Sequence, residues 1–199
     1  ATVIEVDPRM FDSMTTARIH VFGAAGAGVT TLTLALADHL RYPHFDTDDY
    51  LWPPTDPPYQ EKRALETRVE WLLRDTQAPT WVLGGSLLRW GDAVIPRFTL
   101  AVFVTLDRER RLMRLRARER QRFGSRIDPG GDMHHIHIKL LEWAAGYDSD
   151  RLDMRTGVLH EQWIATLLCP VVRIDGARPT FDQVQIVMAE LDGLNETVR

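Results

Sequence analysis

The stretch RIHVFGAAGAGVTTL occupies residues 18–32. Arg18 to Phe22 reads as a short strand, Gly23, Gly26 and Gly28 punctuate the loop that follows, and from Thr30 onward Leu32, Leu36 and Leu40 recur every fourth residue as one face of a helix. The order is strand, glycine loop, helix. Gly23-x-x-x-x-Gly28-Val29-Thr30 has the spacing of a phosphate-binding loop, whose backbone N–H groups and following helix N-terminus point at a polyphosphate. Thr30 stands where that motif places a hydroxyl on Mg²⁺, and Val29 stands where it places the lysine that reaches the β and γ phosphates. Without that ammonium the loop lacks a strong charge-assisted contact. Two other readings stay open. One is a glycine-rich turn with no ligand; the other is a dinucleotide fingerprint, which would need a third glycine where Thr31 sits, although Asp48 lies about 20 residues on.

Outward from the loop, apolar runs alternate with helical periods. His44 and Phe45 lead into the acidic run Asp46-Thr47-Asp48-Asp49, and Pro53, Pro54, Pro57 and Pro58 mark a turn before a helix expected over 60–76. Strands are expected at 81–83, 100–104 and 171–174. Helices are expected at 107–122, from an Asp132 N-cap to 147, at 158–168 and at 180–194. This alternation predicts an α/β protein with a parallel sheet covered on both faces and ligands at the carboxyl ends of its strands. Residues 1–17 lack periodicity and are expected to form an arm, with Met14 a candidate internal start; residues 18–199 are expected to form one domain.

Of 199 residues, 44% are hydrophobic and 26% charged, with 13 Gly and 11 Pro, which excludes disordered and collagenous classes. No apolar run approaches the roughly 18–20 residues of a membrane span, so a cytoplasmic protein with no membrane partner is expected. Cys169 is the single cysteine, too few for an intramolecular disulfide or a thiolate zinc site. The formal net charge of −4 argues against nucleic acid as a partner. All but two of the 24 basic residues, Lys62 and Lys139, are arginine, so phosphate chemistry here must rest on guanidinium forks.

Several side chains are candidates for that chemistry. Asp46 and Asp48, which strand alternation would place on one face, can hold Mg²⁺ or take a proton from an acceptor hydroxyl; the alternative is a solvated turn. Arg110, Arg114, Arg118 and Arg122 form a stripe at i, i+4 spacing, which otherwise reads as a solvated helix face. His134, His135 and His137 are read as cap and surface residues rather than metal ligands. Trp52 and Trp90 fall at strand-end loops, and Trp71, Trp81, Trp143 and Trp163 are assigned to the core. Cys169 is read as a small buried apolar group.

The loop, the run His44–Tyr50, Trp81–Ser86, the arginines from 111 to 122, Gly130–His134 and Ile174-Asp-Gly176 together resemble the P-loop kinases of the adenylate kinase and shikimate kinase type. More narrowly, they resemble a bacterial group of adenylate kinase-like proteins with a lysine-free G-x-x-G-x-G-x-T-T loop. The resemblance spans most of residues 18–194. It implies a three-layer P-loop NTPase fold with a five-stranded parallel sheet in the order 2-3-1-4-5, and a helical lid over about 119–135. It also implies ATP and Mg²⁺, with an unidentified small-molecule acceptor over the strand ends; a monomer or homodimer is expected. Carried onto this chain, Gly23, Ala24, Ala25, Gly26, Ala27, Gly28, Val29, Thr30, Thr31 and Arg114 would hold the nucleotide. Thr30 with Asp46 or Asp48 would manage the metal, Arg118 would stack on adenine or contact phosphate, and Arg122 and Arg126 would close over the phosphoryl group, the arginines together stabilising it and replacing the charge of the missing lysine. Arg63, Arg89 and Trp52 would meet the acceptor. The expected activity is an ATP-binding phosphotransferase; the alternative is a degenerate P-loop module that binds nucleotide or phosphate without turnover.

Overall fold

In chain order, β1 (Arg18–Gly23) is followed by α1 (Val29–Leu40), β2 (His44–Asp46), the short α2 (Thr47–Leu51), α3 (Leu65–Asp75), β3 (Trp81–Gly84) and β4 (Leu100–Thr105). Then come α4 (Arg108–Phe123), α5 (His134–Ala145), α6 (Gly157–Ile164), β5 (Val171–Asp175) and α7 (Thr180–Thr197). The structure, a computed structural model, describes residues 16–197, so the expected arm and the candidate start at Met14 lie outside the described residues except for Thr16 and Ala17. The strands form one parallel sheet in the order β2-β3-β1-β4-β5, the α/β arrangement expected from the sequence.

Strand alternation explains the three layers. Ile19, Val21, Val82, Leu100, Val102 and Val104 point to one face, where Leu32 and Leu36 of α1 and Val184, Val187 and Leu191 of α7 cover them. Phe22, Trp81, Leu83, Ala101 and Phe103 point to the other, under Leu72 of α3 and Trp163 of α6. Each fully buried Leu or Phe stabilises the fold by about 1.5–3 kcal/mol. His20 sits among these aromatics, stacked on Phe98 and Phe22 at 4.9 and 5.3 Å between ring centroids. Burial pushes its pKa down to about 3, so it packs as a neutral ring bonded through Nδ1 to the Leu83 carbonyl at 3.2 Å. Among the described residues, no helix is long and apolar enough to cross a membrane.

Four local expectations are corrected. The helix after the Pro-rich turn starts at Leu65 rather than 60, because the segment before it is bent and the Arg63 amide is tied to the Leu51 carbonyl at 2.9 Å. Asp132 does not cap α5. Its carboxylate is taken by Arg126, and the helix begins after Met133 with no side-chain cap. The helix expected over 158–168 ends at Ile164. Trp81 and Trp163 are core as expected, but Trp143 is 37% exposed and Trp71 only half-buried. Cys169 is half-buried against the Trp163 side of the core.

Candidate active site

From β1 the chain crosses to β2 at the sheet edge, comes back as β3 beside β1, and then passes to the other side of β1 as β4, which opens a crevice at the carboxyl end of β1. The glycine loop fills that position. Gly26 has φ +83° and an added Cβ would lie 2.4 Å from the Arg111 carbonyl oxygen, so the loop can pass α4 only with glycine there. Gly28, at φ +109°, ends the loop and starts α1 without a side-chain cap. The first-turn amides of Val29, Thr30 and Thr31 therefore have no intrahelical acceptor. The Ala27 amide turns back to the Ala24 carbonyl at 3.1 Å, and Ala27 itself is buried behind the loop.

One cavity of about 1,910 Å³ spreads over the strand ends. That exceeds the ~300–1,000 Å³ of a single-ligand pocket and has room for a donor and an acceptor together. Gly23, Ala24, Ala25, Gly26, Gly28, Val29, Thr30 and Thr31 line it, with Asp46, Asp48, Trp52, Arg63, Arg89, Arg114, Arg118 and Arg122. All but two of the residues assigned to the nucleotide, the metal, the phosphoryl group or the acceptor thus meet in one place. Ala27 is one exception, and Arg126 is the other. The expectation that Arg126 reaches the phosphoryl site does not match its position: its guanidinium is bonded to Asp132 at 2.6 and 2.9 Å and to Asp56 at 2.6 Å, outside the cavity.

The carboxylates sit differently from simple strand alternation, because the chain turns into α2 at Thr47. Asp46 is the N-cap of that helix, its Oδ1 accepting the Asp48 amide at 2.9 Å, while Asp48 lies in the first turn. Desolvation by the cavity walls raises the Asp46 pKa to about 6, with Asp48 and Asp49 adding repulsion; the Asp48 amide and Arg118 pull the other way. Desolvation also raises Asp48, against Arg155 and Arg118.

The α4 arginines divide by depth. Arg111 is fully buried, donating to the carbonyls of Leu106, Ala25 and Ala144 and pairing with Asp148. Arg114 forks onto the Gly176 carbonyl at 3.1 Å through both terminal nitrogens and onto Ala27 at 3.3 Å, joining the loop to the turn after β5. Arg118 pairs with buried Glu119 at 3.1 Å. Arg122 donates to the Tyr59 hydroxyl at 3.4 Å, rests on Phe123, and has no carboxylate partner among the described residues. The segment 119–135 comprises the end of α4, a break at Gly124 with φ +56°, a 3₁₀ turn over Gly124–Ile127 and the approach to α5. In it, His134 Nδ1 meets the Ile127 carbonyl at 2.9 Å, His137 is buried and His135 faces the cavity.

Sequence reasoning missed three arginines on the cavity wall, Arg68, Arg155 and Arg178. Arg155 lies between α5 and α6 with its guanidinium 4.5 Å from the Trp143 ring centre; burial pulls its pKa below the ordinary value and Asp48 pulls it back. No local periodicity marks it. Ser86, at the β3 end, also lines the cavity and bonds to His160 Nε2 at 3.1 Å, and burial takes His160 down to about 3. Among the described residues the wall carries ten Lys and Arg against four Asp, in a chain whose net charge is −4. The cleft wall is net positive, which favours anions over cations.

No protein-family model matches the chain. Over 158 residues it is 39% identical to the uncharacterized protein YqaC of Bacillus subtilis (strain 168), which covers 79% of this chain and 87% of that protein. Among solved structures, a deoxyadenosine kinase from M. mycoides with products dCMP and dCDP bound superposes with a TM-score of 0.54 at 13% identity. The shikimate kinase from Bacteroides thetaiotaomicron superposes with a TM-score of 0.52 at 17% identity. Each match covers 88% of this chain and 98% of the other. The shared property is the fold, that of the P-loop kinases.

Proposed function

The chain belongs to the same family as YqaC of Bacillus subtilis, and we propose that it is an ATP-binding P-loop phosphotransferase acting on a small-molecule acceptor. The observation that carries this reading is the meeting, in one basic cavity, of the glycine loop at the β1 end with Asp46, Asp48, Arg118 and Arg122. The uncapped first turn of α1 and the left-handed Gly28 cradle suit a polyphosphate, which the helix dipole also favours. The Thr30 hydroxyl and the carboxylates of Asp46 and Asp48 are hard oxygen donors of the kind magnesium takes, and Thr30 and Asp48 are the residues that would hold it. Bound magnesium supplies electrophilic charge at phosphate oxygens.

The chain's own groups do the rest. Asp46 commits Oδ1 to the Asp48 amide, leaving Oδ2 to accept a proton from an acceptor O–H. The acceptor oxygen forms its bond to the γ phosphorus as the bond from that phosphorus to the β–γ bridging oxygen breaks, and ADP leaves. Arg122, free of carboxylates among the described residues, supplies the positive charge that Val29 does not, with Arg118 beside it. Arg126 serves instead as a latch, joining the lid to the Pro-rich loop through Asp56. Arg63, Arg89 and Trp52 face the acceptor; Arg89 adopts φ +68° and donates to the Leu152 carbonyl.

Calorimetric titration with ATP and Mg²⁺, followed by a screen of acceptors for ADP release, tests the reading. Saturable ATP binding and acceptor-dependent ADP release are expected, and Arg122→Ala should cut turnover by about 10³-fold or more while ATP affinity changes little. Absence of binding by any triphosphate overturns it. The second reading, a binding module without turnover, is favoured by Val29 and separates on Val29→Lys. If guanidinium groups have taken over the lysine's role, an added ammonium should leave turnover within about tenfold of the parent, each tenfold being about 1.4 kcal/mol of barrier. A surge of ATP hydrolysis in the variant, from a parent that shows none, identifies the module.

A further inference from the structure

On the acceptor side of the cavity the cations rest on indole faces. Lys62 Nζ lies 5.5 Å from the Trp52 ring centre, and the guanidinium carbons of Arg63, Arg68 and Arg155 lie 4.8, 5.7 and 4.5 Å from Trp71, Trp90 and Trp143. None of the four cations forms an ion pair among the described residues, whereas Arg120, Arg151 and Arg173 elsewhere on the surface are each held by a carboxylate. The Nε atoms of Arg63, Arg68 and Arg155 are shielded from solvent and have no hydrogen-bond partner among the described residues.

The difference matters chemically. A carboxylate orients a guanidinium by cancelling its charge and consuming its in-plane donors, but an indole holds it by its face and leaves both charge and donors available. Sheltered N–H groups without partners are costly, and on the wall of an open cleft a ligand oxygen can satisfy them. Four cations without an ion-paired carboxylate among the described residues, on the wall of one cavity, exceed what a neutral sugar or a single carboxylate needs. A phosphate monoester offers up to two charges and three acceptor oxygens.

We propose that the molecule receiving the phosphoryl group is itself a phosphate monoester, anchored by Arg63, Arg68 and Arg155 from their indole seats. This rests on the phosphotransferase reading of the same cavity, and the bonds made and broken are those given above: a hydroxyl of the monoester is the accepting oxygen and gives its proton to Asp46, while the phosphate it already carries is the group the arginines hold. Deletion of an indole should act through its cation, since the ring positions the group that touches substrate.

The test uses the full chain without ATP, following tryptophan emission and heat on addition of nucleoside 5′-monophosphates, glucose 6-phosphate, the matching nucleosides, glucose and gluconate. At least one phosphate monoester should bind saturably, and its counterpart without phosphate should bind at least about tenfold more weakly, as should gluconate. Arg63→Gln and Arg68→Gln should each weaken that phosphate monoester about tenfold while Mg-ATP affinity, which also reports correct folding, stays within about twofold. Preference for nucleotides or for the sugar phosphate identifies the body of the acceptor, and either supports the proposal. Nucleoside or gluconate binding as tightly as the phosphate monoester overturns it. So do variants that weaken ATP and the phosphate monoester equally. Binding of ATP with no phosphate monoester bound overturns this inference and leaves the phosphotransferase reading intact. Binding of a phosphate monoester with no ATP bound overturns the phosphotransferase reading, and the acceptor assignment with it.

Discussion

Replacing Asp46 with asparagine is expected to slow phosphoryl transfer by about 10²–10⁴-fold while making the protein more stable at neutral pH. Both effects follow from one carboxyl group. Its pKa stands at about 6 in the folded protein against an ordinary 3.8, chiefly because the cavity walls desolvate it. Between those values the folded protein keeps a proton that the unfolded chain releases. Stability from this group is therefore present below the ordinary value, falls as pH rises through the window and is lost above about 6. Asparagine keeps the oxygen that caps α2 and removes the charge. With partial solvent access taken into account, the variant should gain about 1 kcal/mol at pH 8, roughly 2–4 °C in Tm. That gain should vanish near pH 4. The turnover of the parent should rise through a midpoint near pH 6 as the base deprotonates, and the residual activity of the variant should lack that limb. Thermal melts at the two pH values and a pH profile of kcat/KM check each half separately. A variant with the parent's pH profile removes Asp46 from the role of base.

How far such a site can be read in advance depends on the range of the interactions that build it. The β1 strand, glycine loop and α1 helix were legible because their cause is local: Gly26 and Gly28 take left-handed backbone, and Leu32 and Leu36 repeat at the helical period. The sheet order followed from the resemblance rather than from periodicity. Asp46 and Asp48 were legible as a pair, but their geometry was not, since a helix starting at Thr47 ends the strand alternation. Arg126 shows the opposite failure. Its place after the α4 stripe suggested a lid finger; Asp132, six residues on, takes it with two bonds, and Asp56, seventy residues away and invisible to any local pattern, completes the clamp. Arg155 was overlooked for the same reason, because its meaning comes from Trp143 and Asp48. Distance along the chain, more than residue type, set what could be foreseen.

Arg111 gives the largest expected loss of stability. It is the one α4 arginine with no exposed surface, and its guanidinium bonds to Leu106 O at 3.1 Å, Ala144 O at 3.3 Å and Ala25 O at 3.5 Å, with Asp148 and the Tyr147 ring completing its surroundings. Its own carbonyl lies against Gly26. One residue thus supports the phosphate loop from below through side chain and backbone together. Arg111→Ala would take a donor away from three carbonyls, open a large cavity and release the Asp148 carboxylate. Loss of one partner from a buried pair costs about 3–5 kcal/mol, which for a domain of this size corresponds to a fall in Tm of roughly 10 °C. Because Asp148 is itself 45% exposed, water relieves part of its charge, and the lower end of that range is expected. Mg-ATP affinity, measured well below the new Tm, should also fall at least about tenfold, since the Ala25–Gly26 backbone would lose the contact that holds its amides in place. Arg111→Lys separates charge from geometry: a single ammonium cannot serve three carbonyls and Asp148 at once, so it should recover stability in part and nucleotide affinity hardly at all. If Arg111→Ala melts with the parent, the loop owes its shape to its glycines alone, and the buried guanidinium is a passenger.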